Sequence, residues 1–274
     1  MISVGADCPS KSAEPNPKLD GMPLLDVDNI RLHYEDAGTG PALLLLHGWG
    51  TSGRVWQSCL PDLVRDHRVV TLDWRGCGRS DHPADGNTIA RITADLAEVI
   101  ETLEIEPTVA GSSIGGVFAT ELALARPDLV NHVVAVDSPA YWPSTGMLEK
   151  VRDLRERLVD DRAGTLGDWV PNWFAPGAAR ELVDWTVRQL LDSGAYIDEL
   201  FTECTTYDPR PRLADLKTPI TYLHGELDAE IPLDVPRTCA AETPGARVHV
   251  LAGCGHLPHQ ENPRAFTAAL REIA

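Results

Sequence analysis

From about residue 24 onward, short apolar runs alternate with stretches of helical spacing. Residues 24–35 (LLDVDNIRLHYE) alternate apolar and polar positions, as a hairpin or edge strand does. Residues 42–46 (ALLLL), 68–72 (RVVTL), 108–110 (TVA), 132–136 (HVVAV), 220–223 (ITYL) and 247–251 (RVHVL) are short buried-strand patterns. Leu96, Ile100 and Leu103 lie at helical spacing, residues 117–125 (VFATELALA) read as a helix, and residues 263–273 as a closing helix. Strands alternating with helices predict an α/β fold with a mostly parallel central sheet and helices on both faces.

The alternation breaks at residues 139–212, which are rich in Trp, Arg and Asp and read mostly as helices. They are expected to form a helical cap inserted into a core made of residues 24–138 and 213–274. Residues 1–23 lack an apolar run of signal-peptide length and read as a flexible N-terminal arm.

Each candidate motif follows one of the predicted strands. In open α/β sheets the ligand site lies at the carboxyl ends of strands. Gly111-Ser112-Ser113-Ile114-Gly115 fits G-x-S-x-G between a strand and a helix, the setting of a nucleophile elbow. Only Ser113 is centred between the glycines, and its hydroxyl is expected near a helix N-terminus, where the dipole favours negative charge. A serine hydroxyl needs a base within hydrogen-bond reach. His256, in GCGHLPH after RVHVL, is the candidate base, and Asp228, in HGELDAEIP after ITYL, the candidate acid. Asp137, at the end of HVVAV, is the alternative acid. His224 and His259 read as supporting residues, and Glu226 and Glu230 as surface residues.

The run ALLLL leads into His47-Gly48-Trp49-Gly50. This loop is expected to supply one oxyanion-hole N–H from Trp49, and the elbow the other from Ile114. Gly48 and Gly50 are expected to adopt angles open to glycine. The cap segment holds four of the seven tryptophans. Most should simply hold the cap on the core. Trp142 and Trp173 are the candidates for an apolar, aromatic substrate pocket.

Charge narrows the classes. With 24 Lys+Arg against 41 Asp+Glu, the net charge is −17. That disfavours nucleic acid and anionic membranes as partners. The six cysteines, Cys8, Cys59, Cys77, Cys204, Cys239 and Cys254, form no C-x-x-C pair and suit no zinc site. They read as reduced thiols of a cytoplasmic protein. No metal and no cofactor is expected. The expected partner is a small substrate with an apolar or aromatic part, and a homodimer stays open.

HGWGTSGRVW, LDWRGCGRSD, GSSIGG, YLHGELDAEIP and GCGHLPHQENP occur in the order of the α/β-hydrolase superfamily, which residues 24–274 resemble. The first motif is most similar to the cofactor-free haloperoxidase, perhydrolase and aryl-esterase group. The resemblance implies an α/β-hydrolase fold with Ser113, Asp228 and His256 as triad and Trp49 and Ile114 as oxyanion donors. The elbow departs from the common S-M-G-G, and the cap matches no subgroup. Epoxide hydrolases and haloalkane dehalogenases use a carboxylate where Ser113 stands. The leading expectation is hydrolysis of a carboxylic ester or lactone through an acyl-enzyme. Alternatives are a cofactor-free dioxygenase or C–C bond hydrolase on the same framework, and a catalytically silent ligand-binding protein.

Overall fold

A computed structural model describes residues 23–141 and 145–274. β1 (Leu24–Val27) and β2 (Ile30–Ala37) form the expected antiparallel hairpin, turned at Asp28 with φ +51°. The remaining strands are β3 (Ala42–Leu46), β4 (Arg68–Leu72), β5 (Thr108–Ser112), β6 (His132–Val136), β7 (Ile220–Gly225) and β8 (Arg247–Leu251). Together they make an eight-stranded sheet in the order β1-β2-β4-β3-β5-β6-β7-β8. β2 pairs antiparallel with β4, and every pair beyond it is parallel.

The central strands are apolar on both faces because both faces are covered. In β3, Leu44 and Leu46 join one core with Val70, Leu96 and Phe118, while Leu43 and Leu45 join a second with Trp56, Val69 and Phe266. The period of two along the strand makes this division. α1 (Leu60–Leu63) and α11 (Pro263–Ile273) serve the second core through Leu63, Phe266 and Leu270. α2 (Ile89–Thr102), capped by the Thr88 side chain, and α3 (Ile114–Ala125) serve the first. β8 is only part-buried because it is an edge strand.

Between β6 and β7 the described chain is helical. It holds α4 (Thr145–Asp160), α5 (Arg162–Trp169), a 3-10 turn (Val170–Trp173), α6 (Arg180–Asp192), α7 (Glu199–Cys204) and α8 (Arg210–Leu213). Leu166, Val170, Leu190, Ile197 and Leu200 share the first core with Trp49 and Trp74, so this segment is packed against the sheet domain. α9 (Asp234–Glu242) and α10 (Pro258–Glu261) complete the elements.

The loop after β4 is held from within. Asp73 accepts the amides of Gly53 at 2.6 Å and Arg79 at 2.9 Å, and Arg75 pairs with Asp95 of α2 at 2.5 Å. Cys59, Cys77, Cys204, Cys239 and Cys254 are buried and unpaired. Among the described residues, no helix is long and apolar enough to cross a membrane.

Candidate active site

Ser113 stands at the turn from β5 into α3 with φ +52° and ψ −123°. A side chain there is strained, by an amount of order 1–3 kcal/mol. The strain is held by the surroundings. The Ser113 amide donates to the Val136 carbonyl at 2.7 Å, and the Gly116 amide to the Ser113 carbonyl at 2.9 Å. The neighbouring glycines are needed for space rather than for backbone angle. A Cβ on Gly111 would collide with the Gly115 carbonyl, and one on Gly115 would lie 2.7 Å from the carbonyl oxygens of Leu46 and His47. Strand, elbow and helix are therefore pressed close, and Ser113 is forced outward at the top of the sheet.

β7 and β8 run parallel to β5 through β6, so their carboxyl ends open on the same edge. Asp228, in the loop after β7, accepts the amides of Glu230 at 2.8 Å and Ile231 at 3.0 Å on Oδ1. Its Oδ2 takes the Nδ1 proton of His256 at 2.8 Å. That bond selects the tautomer with Nε2 free to accept a proton. Burial alone would lower the His256 pKa, but Asp228, with smaller contributions from Glu230 and Glu261, lifts it above its ordinary value. Burial would raise the Asp228 carboxyl, but His256 holds it below its ordinary value.

The loop of His256 is fixed from the helical segment. The His256 amide donates to the Trp173 carbonyl at 2.7 Å. Glu261 accepts the amides of Ala175 at 2.7 Å, Gly255 at 3.0 Å and Leu257 at 3.2 Å. Glu261 is a positioning residue that sequence reasoning missed. Its signal was its place in HQENP, five residues after His256.

Asp137 takes a different place. Its Oδ1 accepts the Gly225 amide at 2.7 Å and its side chain is fully buried, with φ +46°. Burial, reinforced by the nearby Asp228 charge, pushes its pKa well above the ordinary carboxyl value. Asp137, His224 and Asp228 bring ligand-type atoms within 4.8 Å of one another. Of these, His224 Nε2 donates to the Ile231 carbonyl at 2.9 Å, Asp137 Oδ1 accepts the Gly225 amide and Asp228 Oδ2 accepts from His256. Within the trio, His224 Nδ1 lies 3.6 Å from Asp137 Oδ1 and Nε2 lies 3.5 Å from Asp228 Oδ2, beneath the His256–Asp228 pair. Among the described residues, neither Asp137 nor the Ser113 hydroxyl makes a hydrogen bond to the His256 ring. Contacts between a nucleophile and its base often tighten only in the complex with substrate.

The loop after β3 aims a backbone donor. The Gly48 carbonyl accepts His47 Nδ1 at 2.8 Å and Thr51 Oγ1 at 3.1 Å. His47 Nε2 accepts the Trp74 amide at 3.3 Å, and the two rings stack at 5.0 Å. Burial lowers the His47 pKa to about 4, so the ring is neutral and keeps these roles. With the Gly48 carbonyl pinned, the trans peptide turns the Trp49 N–H the opposite way. Ile114 is the first residue of α3, so its amide has no partner within the helix. Gly50 has φ +65°, as expected of this loop. Gly48 does not have positive φ. Its missing side chain instead lets the loop approach Ser113, whose Cβ lies 3.4 Å from where a Gly48 Cβ would be.

Trp49, Ser113, Ile114, Trp173 and His256 line one narrow cavity of about 90 Å³. Trp173 also packs edge-on to the His256 ring, with centroids 6.1 Å apart. Trp142 lies outside the described residues. Trp169 and Phe201 line the cavity too, as does Glu230, which was expected at the surface. Glu230 turns inward because its Oε2 accepts Trp169 Nε1 at 2.9 Å. That bond joins the loop after β7 to α5, and nothing local in the sequence signals it. A wider groove of about 950 Å³ runs past Pro171, Phe174, Val183 and Leu227, away from Ser113.

Comparison with known proteins places these features among relatives. Residues 43–270 match the profile described as "Alpha/beta hydrolase family". A pimeloyl-[acyl-carrier protein] methyl ester esterase of Edwardsiella ictaluri is 29% identical, covering 89% of this chain and 97% of the relative. The crystal structure of a bromoperoxidase from Bacillus anthracis superposes with TM-score 0.83 at 26% identity, over 89% of this chain and 95% of that one. An enol-lactonase from Burkholderia xenovorans superposes with TM-score 0.83 at 25% identity, over 92% of this chain and 99% of that one.

Proposed function

This chain belongs to the alpha/beta hydrolase family, and on that footing we propose that it hydrolyses carboxylic esters or lactones through an acyl-enzyme on Ser113. The observation that carries the reading is the 2.8 Å bond from His256 to Asp228 beside a cavity that Ser113 and His256 share. In this reading Ser113 Oγ attacks the carbonyl carbon while His256 Nε2 takes its proton. Asp228 stabilises the resulting imidazolium. The oxyanion is received by the amides of Ile114 and Trp49, each donor being worth about 2.7–4 kcal/mol. His256 returns its proton to the leaving alkoxide, whose bond to the acyl carbon breaks. Water, deprotonated by His256, then cleaves the acyl-enzyme and restores Ser113.

Likeness to a methyl ester esterase and an enol-lactonase supports an ester or lactone bond over a C–C bond. A dioxygenase using Asp137 as the partner of His256 draws no support, because Asp137 bonds the Gly225 amide instead. In the same reading residues 139–212 act as the cap, and the substrate has an apolar or aromatic part. Stopped-flow release of p-nitrophenolate from p-nitrophenyl acetate tests it. A burst matching the enzyme concentration, absent in Ser113→Ala, is expected. A folded protein that gives neither burst nor turnover belongs to the silent, ligand-binding reading.

A further inference from the structure

Four aromatic rings and one carboxylate surround the space beside Ser113. Trp49, Trp169, Trp173, Phe201 and Glu230 all line the cavity. Trp49 meets Phe201 at 4.8 Å between centroids, and Trp169 meets Trp173 at 4.9 Å with the planes at 90°. Trp169 also lies 5.9 Å from Trp49 and 6.2 Å from Phe201, both tilted. The rings therefore turn faces and edges in several directions around one space. Glu230 is fixed against them by its bond to Trp169 Nε1 at 2.9 Å. No Lys or Arg is among the residues lining this cavity.

A carboxylate set in an aromatic wall is costly to keep charged, and the positive groups that act on Glu230 are the His256 ring and Lys150, which lies in a neighbouring groove outside this cavity. Burial accordingly pushes the Glu230 pKa up. A small cation in the cavity would relieve that cost and find the negative faces of the rings as well. The cluster already holds a cation on its outer side, where the Arg162 guanidinium lies 5.3 Å from the Trp49 ring, tethered by Asp198 at 2.7 Å. A substrate carboxylate, by contrast, would meet Glu230 as a like charge.

We propose that this cavity selects carboxylic esters bearing a small ammonium group, seated on Trp169, Trp173 and Phe201 and neutralised by Glu230. As an account of substrate choice this rests on the ester-hydrolase reading, but the ammonium site is testable without it. Calorimetric titration of the full chain compares tetramethylammonium chloride with tert-butanol, an uncharged group of similar shape, at matched ionic strength. Tetramethylammonium is expected to bind at least tenfold more tightly, and Glu230→Gln to remove most of that margin. The Gln side chain can still accept the Trp169 N–H, so the aromatic wall is kept. Equal affinities in the unmodified protein, or an unchanged margin in Glu230→Gln, would overturn the proposal.

The kinetic arm compares acetylcholine, the acetic ester of choline, with its carbon isostere, neohexyl acetate. A preference of tenfold or more in kcat/KM for the choline ester is expected, falling in Glu230→Gln. Hydrolysis of neohexyl acetate without ammonium binding sinks the cation site and leaves the esterase reading intact. Ammonium binding that depends on Glu230, in a chain that cleaves no ester, does the reverse.

Discussion

Ser113, Asp228 and Asp137 make separable demands at the scale of single residues. Ser113→Ala should lower kcat by about 10³–10⁶, the range for a triad nucleophile. Ser113→Gly should be equally inactive yet more stable than Ser113→Ala by about 1 kcal/mol, and so melt at a higher temperature, because glycine accepts φ +52° without strain. Steady-state kinetics and thermal melts of the two variants check this. Asp228→Asn should cost about 10⁴ in kcat by unsettling the tautomer and leaving the imidazolium unpaired. Asp137→Asn should stay within about tenfold, since the Asp137 carboxyl bonds the Gly225 amide rather than His256, and an Asn side-chain oxygen can accept the same bond. A larger loss in Asp137→Asn would move the acid to the end of β6. His256 must be neutral to act as base, so kcat/KM falls as pH drops through its pKa. Because Asp228 and Glu230 raise that pKa, the acid limb should lie above 6.5 and move downward in Glu230→Gln.

Among elements, the decisive contact joins the 3-10 turn Val170–Trp173 to the loop that carries His256. A Cβ on Gly255 would lie 2.7 Å from the Trp173 carbonyl oxygen and from the Ala175 nitrogen. Backbone cannot yield as a flexible side chain can. Gly255→Ala should therefore displace His256 from the Trp173 carbonyl, lowering kcat about tenfold or more while KM changes less. Crystallography or the kinetic constants would show it, and a variant with unchanged kcat would deny that this contact positions the base. Trp173→Ala tests the other side of the contact. A pocket role predicts a higher KM or altered acyl-chain preference, whereas a purely packing role predicts only a lower melting temperature.

On the scale of the whole molecule, Asp73 ties the end of β4 to the loops before and after it. Burial would raise its carboxyl, but His33 and the amides of Arg79 and Gly53 hold it below its ordinary value. A carboxyl whose folded pKa is depressed contributes stability present above its unfolded pKa of about 3.9 and lost as pH falls through the folded pKa. Asp73→Asn should destabilise the protein at neutral pH by about 1–3 kcal/mol, the scale of an unsatisfied buried donor. Denaturant melts across pH should show the gap to the unmodified protein narrowing in strong acid. A gap independent of pH would assign the loss to packing.

The strands, their alternation with helices, the elbow and the order of Ser113, Asp228 and His256 were legible because each depends on local period or on neighbours a few residues away. ALLLL could be read as a buried strand, and GSSIGG as a crowded turn, without knowing what lay opposite. The sequence favoured Asp228 over Asp137 without excluding the latter. The folded chain showed where each carboxylate goes: Asp137 bonds the Gly225 amide, while the loop after β7 carries Asp228 to the His256 ring. It also turned Glu230 inward through a partner 61 residues away, and it brought Trp169 and Phe201 beside Ser113. Those placements depend on how the helical segment between β6 and β7 packs across the sheet edge. Side chains far apart in the chain meet there by contact and burial, and no periodicity along the sequence records which of them will touch.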